Sequence, residues 1–156
     1  MMARPAHRRV SRVVLLDEND RFLLLLTASP RLQTPVVRWL TPGGGVEEHE
    51  SHAEAAVREL FEETGLLVDF VGEPIWSIEG TSVFNDGHVQ TTYSEYFVVR
   101  TQSFDVTNEN WMENEFVDIT DIKWWSLDEL LASGEKYSPE PLAEVIRIAL
   151  TLSTEK

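Results

Sequence analysis

Three glutamates, Glu59, Glu62 and Glu63, are the residues of this sequence whose types and spacing point most directly to chemistry. They lie at positions i, i+3 and i+4 of a segment with strong helix composition, so all three carboxylates share one helix face. Like charges at this spacing destabilise a helix by roughly a few tenths of a kcal/mol per pair. A hard divalent cation offsets the repulsion, because it takes oxygen ligands from carboxylates, water and substrate phosphates. The spacing therefore indicates a metal site, although a solvated acidic helix face would have the same composition.

An arginine and a run of glycines flank the acidic residues. Arg58 reaches Glu62 at i+4, where its guanidinium can hold one carboxylate at a fixed angle. The three glycines at positions 43–45 allow the backbone to approach the start of the helix closely. A phosphate or a metal ion could meet a backbone group there.

The whole stretch resembles the Nudix box, which reads Gly, five residues, Glu, seven residues, then Arg-Glu-aliphatic-any-Glu-Glu-any-Gly-aliphatic. Its specified places are filled by Gly44, Glu50, Arg58, Glu59, Leu60, Glu62, Glu63, Gly65 and Leu66. Seven fixed identities and two aliphatic places coincide by chance on the order of once in a billion windows. The resemblance therefore favours the functional interpretation of the acidic face over the solvated one.

The order of elements around the box is similar to that of the Nudix hydrolase family, with two strands before it and a sheet and helices after it. The resemblance implies an α/β fold, an α/β/α sandwich with a mixed central sheet, in which the box forms loop, helix and loop. Because 156 residues suit one compact domain, we expect a single Nudix hydrolase domain over residues 1–156.

Family resemblance also implies roles for the box residues. The expected ligands of Mg²⁺, or of Mn²⁺, are Gly44 through its carbonyl, Glu59, Glu62 and Glu63. Glu50 and Arg58 are expected to have a structural role.

The implied reaction is attack of a metal-activated water on one phosphorus of a nucleoside diphosphate that is linked to another moiety. The metal neutralises the phosphates, lowers the pKa of the bound water and stabilises the leaving phosphate, and a glutamate accepts the proton. The catalytic candidates are Glu59, Glu62, Glu63 and Glu115. Glu115, and less favourably Glu113, lie in an acidic segment before Trp124, where the interpretation as a solvated loop acid is slightly favoured for either residue.

Substrate choice is expected to depend on residues outside the box. The aromatic residues that could stack on a base are Trp39, Trp76, Phe84 and Trp111, and the arginines that could bind a phosphate are Arg31, Arg38 and Arg100. Core packing is favoured for Trp39 and Trp76. The preferred substrate-binding candidates are therefore Arg38, Trp111 and Phe84. Two histidines of the box, His49 and His52, are expected to be surface residues rather than metal ligands.

Composition limits the remaining functions. The formal net charge of −14 disfavours nucleic acid and anionic lipid as partners, and the absence of cysteine excludes disulfides and thiolate chemistry. No apolar run approaches the roughly 20 residues of a membrane span. Arginines near the N-terminus, at positions 4, 8, 9 and 12, could hint at a transit peptide, but Val10 to Leu16 predicts a strand. We therefore expect a cytoplasmic protein that binds a nucleotide-type small molecule, with a homodimer left open.

The elements that must position these residues follow from apolar periodicity and turn residues. The predicted strands are Val10 to Leu16, Phe22 to Leu26, Leu66 to Val71, Ile75 to Phe84, Val89 to Val99 and Lys123 to Trp125. The predicted helices are Glu50 to Thr64, with Gly65 as its C-terminal glycine, Ser126 to Leu131 and Pro139 to Leu150. The predicted loops are Ser29 to Val36, Gln102 to Asp121 and the glycine turn around position 44.

Two rival functions are weighed against hydrolysis. A Nudix fold can sense a nucleotide without cleaving it, but such proteins usually lack box glutamates, and this sequence retains all of them. Isoprenoid diphosphate isomerisation on the same fold requires a catalytic cysteine, which this chain lacks.

Overall fold

Seven strands in one mixed sheet form the centre of the computed structural model, which describes residues 6–28, 33 and 36–154. The strands are β1 (His7–Leu16), β2 (Phe22–Ala28), β3 (Val37–Leu40), β4 (Gly43–Gly45), β5 (Trp76–Val83), β6 (Val89–Arg100) and β7 (Ile119–Trp125). The helices are α1 (His52–Thr64), α2 (Glu113–Asp118), α3 (Leu127–Ser133) and α4 (Leu142–Thr154).

Strand β1 is the centre of the sheet. The strand order is β3-β2-β1-β6-β5, with β4 paired to β1 and β7 paired to β2. The partner of β1 along its whole length is β6, which runs parallel to it, whereas β4 is antiparallel and sets Gly44 opposite Ser11. The pairing with β4 brings the glycine run, and with it the start of the box, directly against the central strand.

The alternating side chains of β1 divide the interior into two hydrophobic layers. Val13 and Leu15 pack with Leu60 of α1, while Val14 and Leu16 pack on the opposite face against residues of α4. Helices therefore cover both faces of a mixed sheet, which confirms the predicted α/β/α sandwich. Each fully buried aliphatic side chain contributes about 1.5–3 kcal/mol relative to an exposed one.

Helix α1 has defined capping at both ends. Ser51 is its N-cap, and the Ser51 hydroxyl and the Glu54 carboxylate form a reciprocal capping box. Gly65 ends the helix in the left-handed region at φ 85°, where its N–H donates to the carbonyl of Phe61 over 2.8 Å. A side chain is disfavoured at this φ, so the predicted role of Gly65 is confirmed. The helix begins two residues after the predicted Glu50.

Three sequence-based assignments are wrong. The segment Leu66 to Val71 is not a strand, because Gly65 redirects the chain away from the sheet and the segment has no strand partner among the described residues. The glycine turn forms β4 instead, since its backbone pairs with β1. The predicted loop Gln102 to Asp121 contains α2 and the start of β7, whose pairing with β2 is a long-range contact that local composition does not reveal.

Two further observations concern the predicted loop at residues 29–36 and the expected absence of a membrane span. Within the predicted loop Ser29 to Val36, only positions 33 and 36 belong to the described residues, and Arg31 lies outside them. In the described part of the chain, no helix is long and apolar enough to cross a membrane.

Candidate active site

Five carboxylates from two helices line one cavity of about 270 Å³. Glu59, Glu62 and Glu63 come from one face of α1, and Glu115 and Asp118 come from α2. The i, i+3, i+4 spacing places the first three together as the sequence predicts. Glu115 is brought to them by the short helix that the sequence analysis assigned to a loop. The cavity wall is completed by backbone of β4, so the glycine run lies directly beside the acidic cluster.

Glu63 is the most buried of these carboxylates, with 7% of its surface exposed. The backbone N–H of Gly43 donates to its Oε1 over 2.6 Å, which fixes one oxygen of the carboxylate. Burial raises the pKa of Glu63 well above its usual range, and the nearby Glu115 raises that pKa further, whereas the Gly43 N–H and Arg12 oppose the shift. Ionised Glu63 therefore needs a cation nearby to be stable.

Glu59 occupies space that only a glycine at position 44 leaves open. A Cβ added to Gly44 would come within 2.5 Å of the Glu59 Cδ and Oε1 atoms. Burial, and secondarily the repulsion from Glu62, raise the pKa of Glu59. The close approach explains in physical terms why the box begins with glycine at this position.

Arg58 connects the cluster to the loop before the helix. Its Nε and Nη2 donate to the two oxygens of Glu50 over 2.7 and 2.8 Å, and Nη2 also donates to the carbonyl of Gly45 over 2.8 Å. Its Nη1 lies 3.0 Å from Glu59 Oε1 and 3.3 Å from both Glu62 oxygens. These bonds raise the pKa of Arg58, and its hydrogen bonds lower the pKa of Glu50. The contacts are those of a positioning residue.

The donor set of this cavity fits a hard divalent cation. Its candidate ligands are oxygens, and five carboxylates surround a space that the missing side chain of Gly44 leaves open. In the side-chain positions of the described residues, however, no three acidic or histidine groups converge tightly enough to hold a metal. Glu59 and Glu62 line the cavity but are also bound to Arg58, so a metal ion must compete with this arginine for their oxygens.

A second cavity of about 740 Å³ adjoins the acidic one along the sheet. The two share several lining residues, among them Arg8 and Arg12 of β1. The predicted substrate-binding residues Arg38 and Phe84 both line the larger cavity, where Ile78 and Tyr96 add apolar surface. A ligand that extends from the acidic cluster would therefore pass arginine side chains before it reaches these apolar groups.

The structure separates the other aromatic and arginine candidates from this space. Trp39 is 3% exposed and belongs to the core, as predicted. Trp76 also packs against that core. The indole N–H of Trp111 donates to the backbone carbonyl of Glu63 over 2.9 Å, and Trp111 lines neither of the two cavities. Arg100 pairs with Asp20 instead.

Sequence analysis missed the local role of His52, which is not a surface residue. Its side chain is 13% exposed, and Nδ1 lies 3.1 Å from the hydroxyl of Ser11 and 3.9 Å from a carboxylate oxygen of Glu95. The row of serine, histidine and acid does not form a nucleophilic triad, because the same nitrogen faces both partners and Ser11 is fully buried. Ser11 donates instead to the His52 carbonyl, which fixes the start of α1 on β1.

Sequence analysis also missed Arg8 and Arg12 as site residues, since it considered them only as part of a basic N-terminus. The usable signal was their i, i+4 spacing on a strand, which places both on one face of the sheet.

Comparisons with known proteins agree with this fold and identify the family. The NUDIX domain family model matches residues 6–145. The RNA pyrophosphohydrolase of Rickettsia bellii is 28% identical over 142 residues, which is 84% of this chain and 81% of that protein. The RNA pyrophosphohydrolase of Cereibacter sphaeroides is 46% identical over 56 residues, 33% of this chain, and the match spans only 35% of that protein's length.

Solved structures show the same fold at low sequence identity. A MutT protein from Methanosarcina mazei Go1 has a TM-score of 0.68 at 20% identity, covering 99% of this chain and all of that one. The NUDIX domain of Shewanella oneidensis NrtR, solved with ADP ribose, has a TM-score of 0.66 at 20% identity, covering 96% of this chain and 90% of that one.

Proposed function

We propose that this chain, which belongs to the NUDIX domain family and is a Nudix hydrolase, cleaves the phosphate–phosphate bond of a nucleoside diphosphate linked to another moiety. The observation that supports the proposal most directly is the cavity in which Glu59, Glu62, Glu63 and Glu115 face each other beside β4. Repulsion between these carboxylates is relieved by divalent cations, and the same cations bind phosphates.

The residues that would hold Mg²⁺, or Mn²⁺, are Glu59, Glu62 and Glu63, with the carbonyl of Gly44. A cation bound there supplies charge neutralisation of the phosphates and a water of lowered pKa. The Gly43 N–H keeps one oxygen of Glu63 in place. Arg58 sets the direction from which two of the carboxylates enter the cavity.

Glu115 is our proposed general base. It lies on α2, across the cavity from α1, and it forms no ion pair with Arg58 among the described contacts. The Met112 backbone N–H donates to Glu115 Oε1 over 2.8 Å, which leaves the other oxygen to accept a proton. The attacking water forms a new oxygen–phosphorus bond, the bond to the leaving phosphate breaks, and the proton passes to Glu115. Glu62 and Glu63 are the alternative acceptors.

The nucleoside is proposed to occupy the larger cavity. Phe84, with Ile78 and Tyr96, offers apolar surface on which a base can pack, and Arg38 offers a charged donor. Trp111 is the remaining substrate-binding candidate. Its indole N–H donates to the backbone carbonyl of Glu63 on α1. The names of the relatives, which are RNA pyrophosphohydrolases, agree with cleavage of a pyrophosphate bond but do not fix the substrate.

The experiment compares wild-type protein and Glu63→Gln on a panel of nucleotides with Mg²⁺. The panel contains nucleoside triphosphates, sugar nucleotides, ADP-ribose, NADH, diadenosine polyphosphates and RNA with a 5′-triphosphate. We expect the wild type to release phosphate or a nucleoside monophosphate, and Glu63→Gln to lose activity by roughly 10²-fold or more. Glu144→Gln, an exposed change on α4, is the matched control and keeps wild-type turnover.

Two outcomes would contradict the proposal. Equal turnover by wild type and Glu63→Gln would refute the metal-site assignment. Tight nucleotide binding by the wild type without turnover of any substrate would favour a sensor, the alternative function on the same fold.

A further inference from the structure

Three arginines line one side of the larger cavity. Arg8 and Arg12 lie at i and i+4 on β1, with Val10 between them, and Arg38 lies on β3. We call Arg8, Arg12 and Arg38 the arginine face. Arg8 and Arg12 also line the acidic cavity, whereas Arg38 lies only on the side of the larger one. The arginine face therefore begins at the acidic cluster and extends away from it.

The arginine face has a hydrogen-bond donor that the protein does not use. Arg8 is exposed, and Arg12 and Arg38 are half-buried. Glu59 interacts electrostatically with Arg8 and Glu63 with Arg12, and Asp118 lines the same cavity as all three arginines. Nη1 of Arg12 donates to the carbonyl of Thr41 over 3.1 Å, and the Nε of Arg38 is buried without a hydrogen-bond partner. A buried donor without an acceptor costs about 1–3 kcal/mol, and more for a charged group. A ligand that supplies acceptors at this position offsets that cost.

The charge of these groups specifies the kind of ligand. Burial, and secondarily the proximity of Arg12, lower the pKa of Arg38, so the protein environment disfavours its cation. The chain has 27 acidic residues against 13 lysines and arginines, and yet three arginines line this one cavity. An anion with several oxygens would supply an acceptor to Arg38 and stabilise its cationic form, because guanidinium groups bind phosphate through paired N–H donors.

We infer that the arginine face binds a phosphate group beyond the two joined by the cleaved bond, so that the preferred substrates have three or more consecutive phosphates. The inference rests on the proposed function. The two phosphates at the cleaved bond lie on the cations held by the acidic cluster, and the chain of phosphates continues along Arg12 and Arg8 towards Arg38. A neutral sugar in that position would leave the buried Nε of Arg38 without an acceptor, and such substrates are therefore disfavoured.

The first test measures binding of inorganic tripolyphosphate in the presence of EDTA by titration calorimetry. We expect the wild type to bind it despite the net charge of −14. Arg8→Gln and Arg38→Gln each weaken binding by at least about tenfold, the loss of a charged hydrogen bond. Arg9→Gln is the matched control, because Arg9 is an exposed neighbour on the same strand whose side chain contacts Glu47 rather than either cavity. Its binding constant changes by less than about threefold.

The second test compares kcat/KM for a nucleoside triphosphate and for a nucleoside diphosphate sugar with the same base. Arg38→Gln lowers kcat/KM for the triphosphate by at least about tenfold, and for the sugar nucleotide by a smaller factor, because only the triphosphate places a phosphate on the arginine face. Arg38→Lys, which keeps the charge, recovers part of the loss for the triphosphate. Thermal melting of each variant establishes that it is folded.

The outcomes separate this inference from the proposed function. Absence of tripolyphosphate binding by the wild type, or equal losses for both substrates in Arg38→Gln, overturns the inference while hydrolysis itself stands. If neither substrate is hydrolysed, the proposed function fails, and the binding test still decides whether the arginine face is a polyphosphate site.

Discussion

The acidic cluster and the arginine face lie side by side, but their arginines differ in how many of their donors are hydrogen-bonded within the protein. In the acidic cluster, Arg58 makes hydrogen bonds to three glutamates, Glu50, Glu59 and Glu62, and to one backbone carbonyl. On the arginine face, Arg38 has a buried Nε with no partner. An arginine whose donors are all used by the protein can only position other groups, whereas one whose donors are unused is available to a ligand.

The same contrast applies to the carboxylates. Glu50 is fully engaged by Arg58, and these hydrogen bonds lower its pKa. Glu63 receives one N–H from Gly43 and is otherwise buried among acids, so its pKa is raised. Glu50, with both oxygens bound to Arg58, therefore shapes the site, whereas Glu63, held by a single N–H, is available to a cation.

The strongest test of this contrast is to remove the paired arginine. Arg58→Gln leaves Glu50, Glu59 and Glu62 without their shared cation, and we expect metal affinity and kcat/KM to fall by roughly 10–100-fold. We also expect the Tm of the protein to fall, since Glu50 loses its hydrogen bonds from Arg58. Metal titration, kinetics and thermal melting measure the three effects. Arg147→Gln, an exposed change on α4, is the control and leaves all three as in the wild type.

If Arg58→Gln retained wild-type metal affinity and turnover, the paired arginine would have no positioning role. The distinction drawn between Arg58 and the arginine face would then be wrong.

A second test uses the glycines that lie between the two regions. Gly44→Ala places a Cβ 2.5 Å from the Glu59 carboxylate, so the carboxylate must move, and we expect kcat to fall by about tenfold. Gly45→Ala is the paired variant, because its Cβ would meet the Arg8 guanidinium at 3.1 Å, a flexible group that can shift. It should raise KM more than it lowers kcat. Identical effects of the two changes would contradict the assignment of Glu59 and Arg8 to different tasks.

The pH dependence of stability gives a third, smaller effect. Burial raises the pKa of Glu63, so above about pH 4.3 the metal-free folded protein retains a proton that the unfolded chain has released. The folded state then binds more protons than the unfolded state, and the free energy of unfolding falls as pH rises through this range. Glu63→Gln removes this contribution, and saturating Mg²⁺ reverses it because a cation stabilises the ionised form.

Thermal melting in EDTA from about pH 5 to 8 measures this slope in both proteins. Glu59, whose pKa is also raised by burial, retains part of the effect in the variant. An unchanged slope in Glu63→Gln would show that Glu63 is ionised without a cation.

The sequence was sufficient to predict the box and the fold class, because both depend on local spacing. Glu59, Glu62 and Glu63 share a helix face by geometry alone, and the apolar runs of β1 and β2 already predict a covered sheet. The sequence was not sufficient for features created by pairing between distant segments. Glu115 reaches the cavity only because β7 pairs with β2 and brings α2 over the acidic cluster.

The arginine face was predicted only in part: Arg38 was a candidate for binding a phosphate, whereas Arg8 and Arg12 were not considered for the site. Arg8 and Arg38 are thirty positions apart, and they meet through the order of β1, β2 and β3 in the sheet. Strand order is a property of the whole fold, whereas the motif around Arg58 is contained in one loop and one helix. The motif around Arg58 could therefore be predicted as a whole, whereas the sequence indicates the members of the arginine face only one strand at a time.

Trp111 provides the smallest and most discriminating effect, since the sequence analysis assigned it to the substrate and the structure joins it to the protein. Its indole N–H donates to the Glu63 carbonyl at the end of α1, and its ring lies 5.3 Å from that of Phe116. Trp111→Phe removes the hydrogen bond but keeps an aromatic ring, so we expect a loss of about 0.5–1.5 kcal/mol in the free energy of unfolding. Chemical denaturation measures the loss, with KM determined in parallel. An unchanged KM would show that Trp111, like Arg58, has a structural role. A large rise in KM without loss of stability would show that Trp111 binds the substrate.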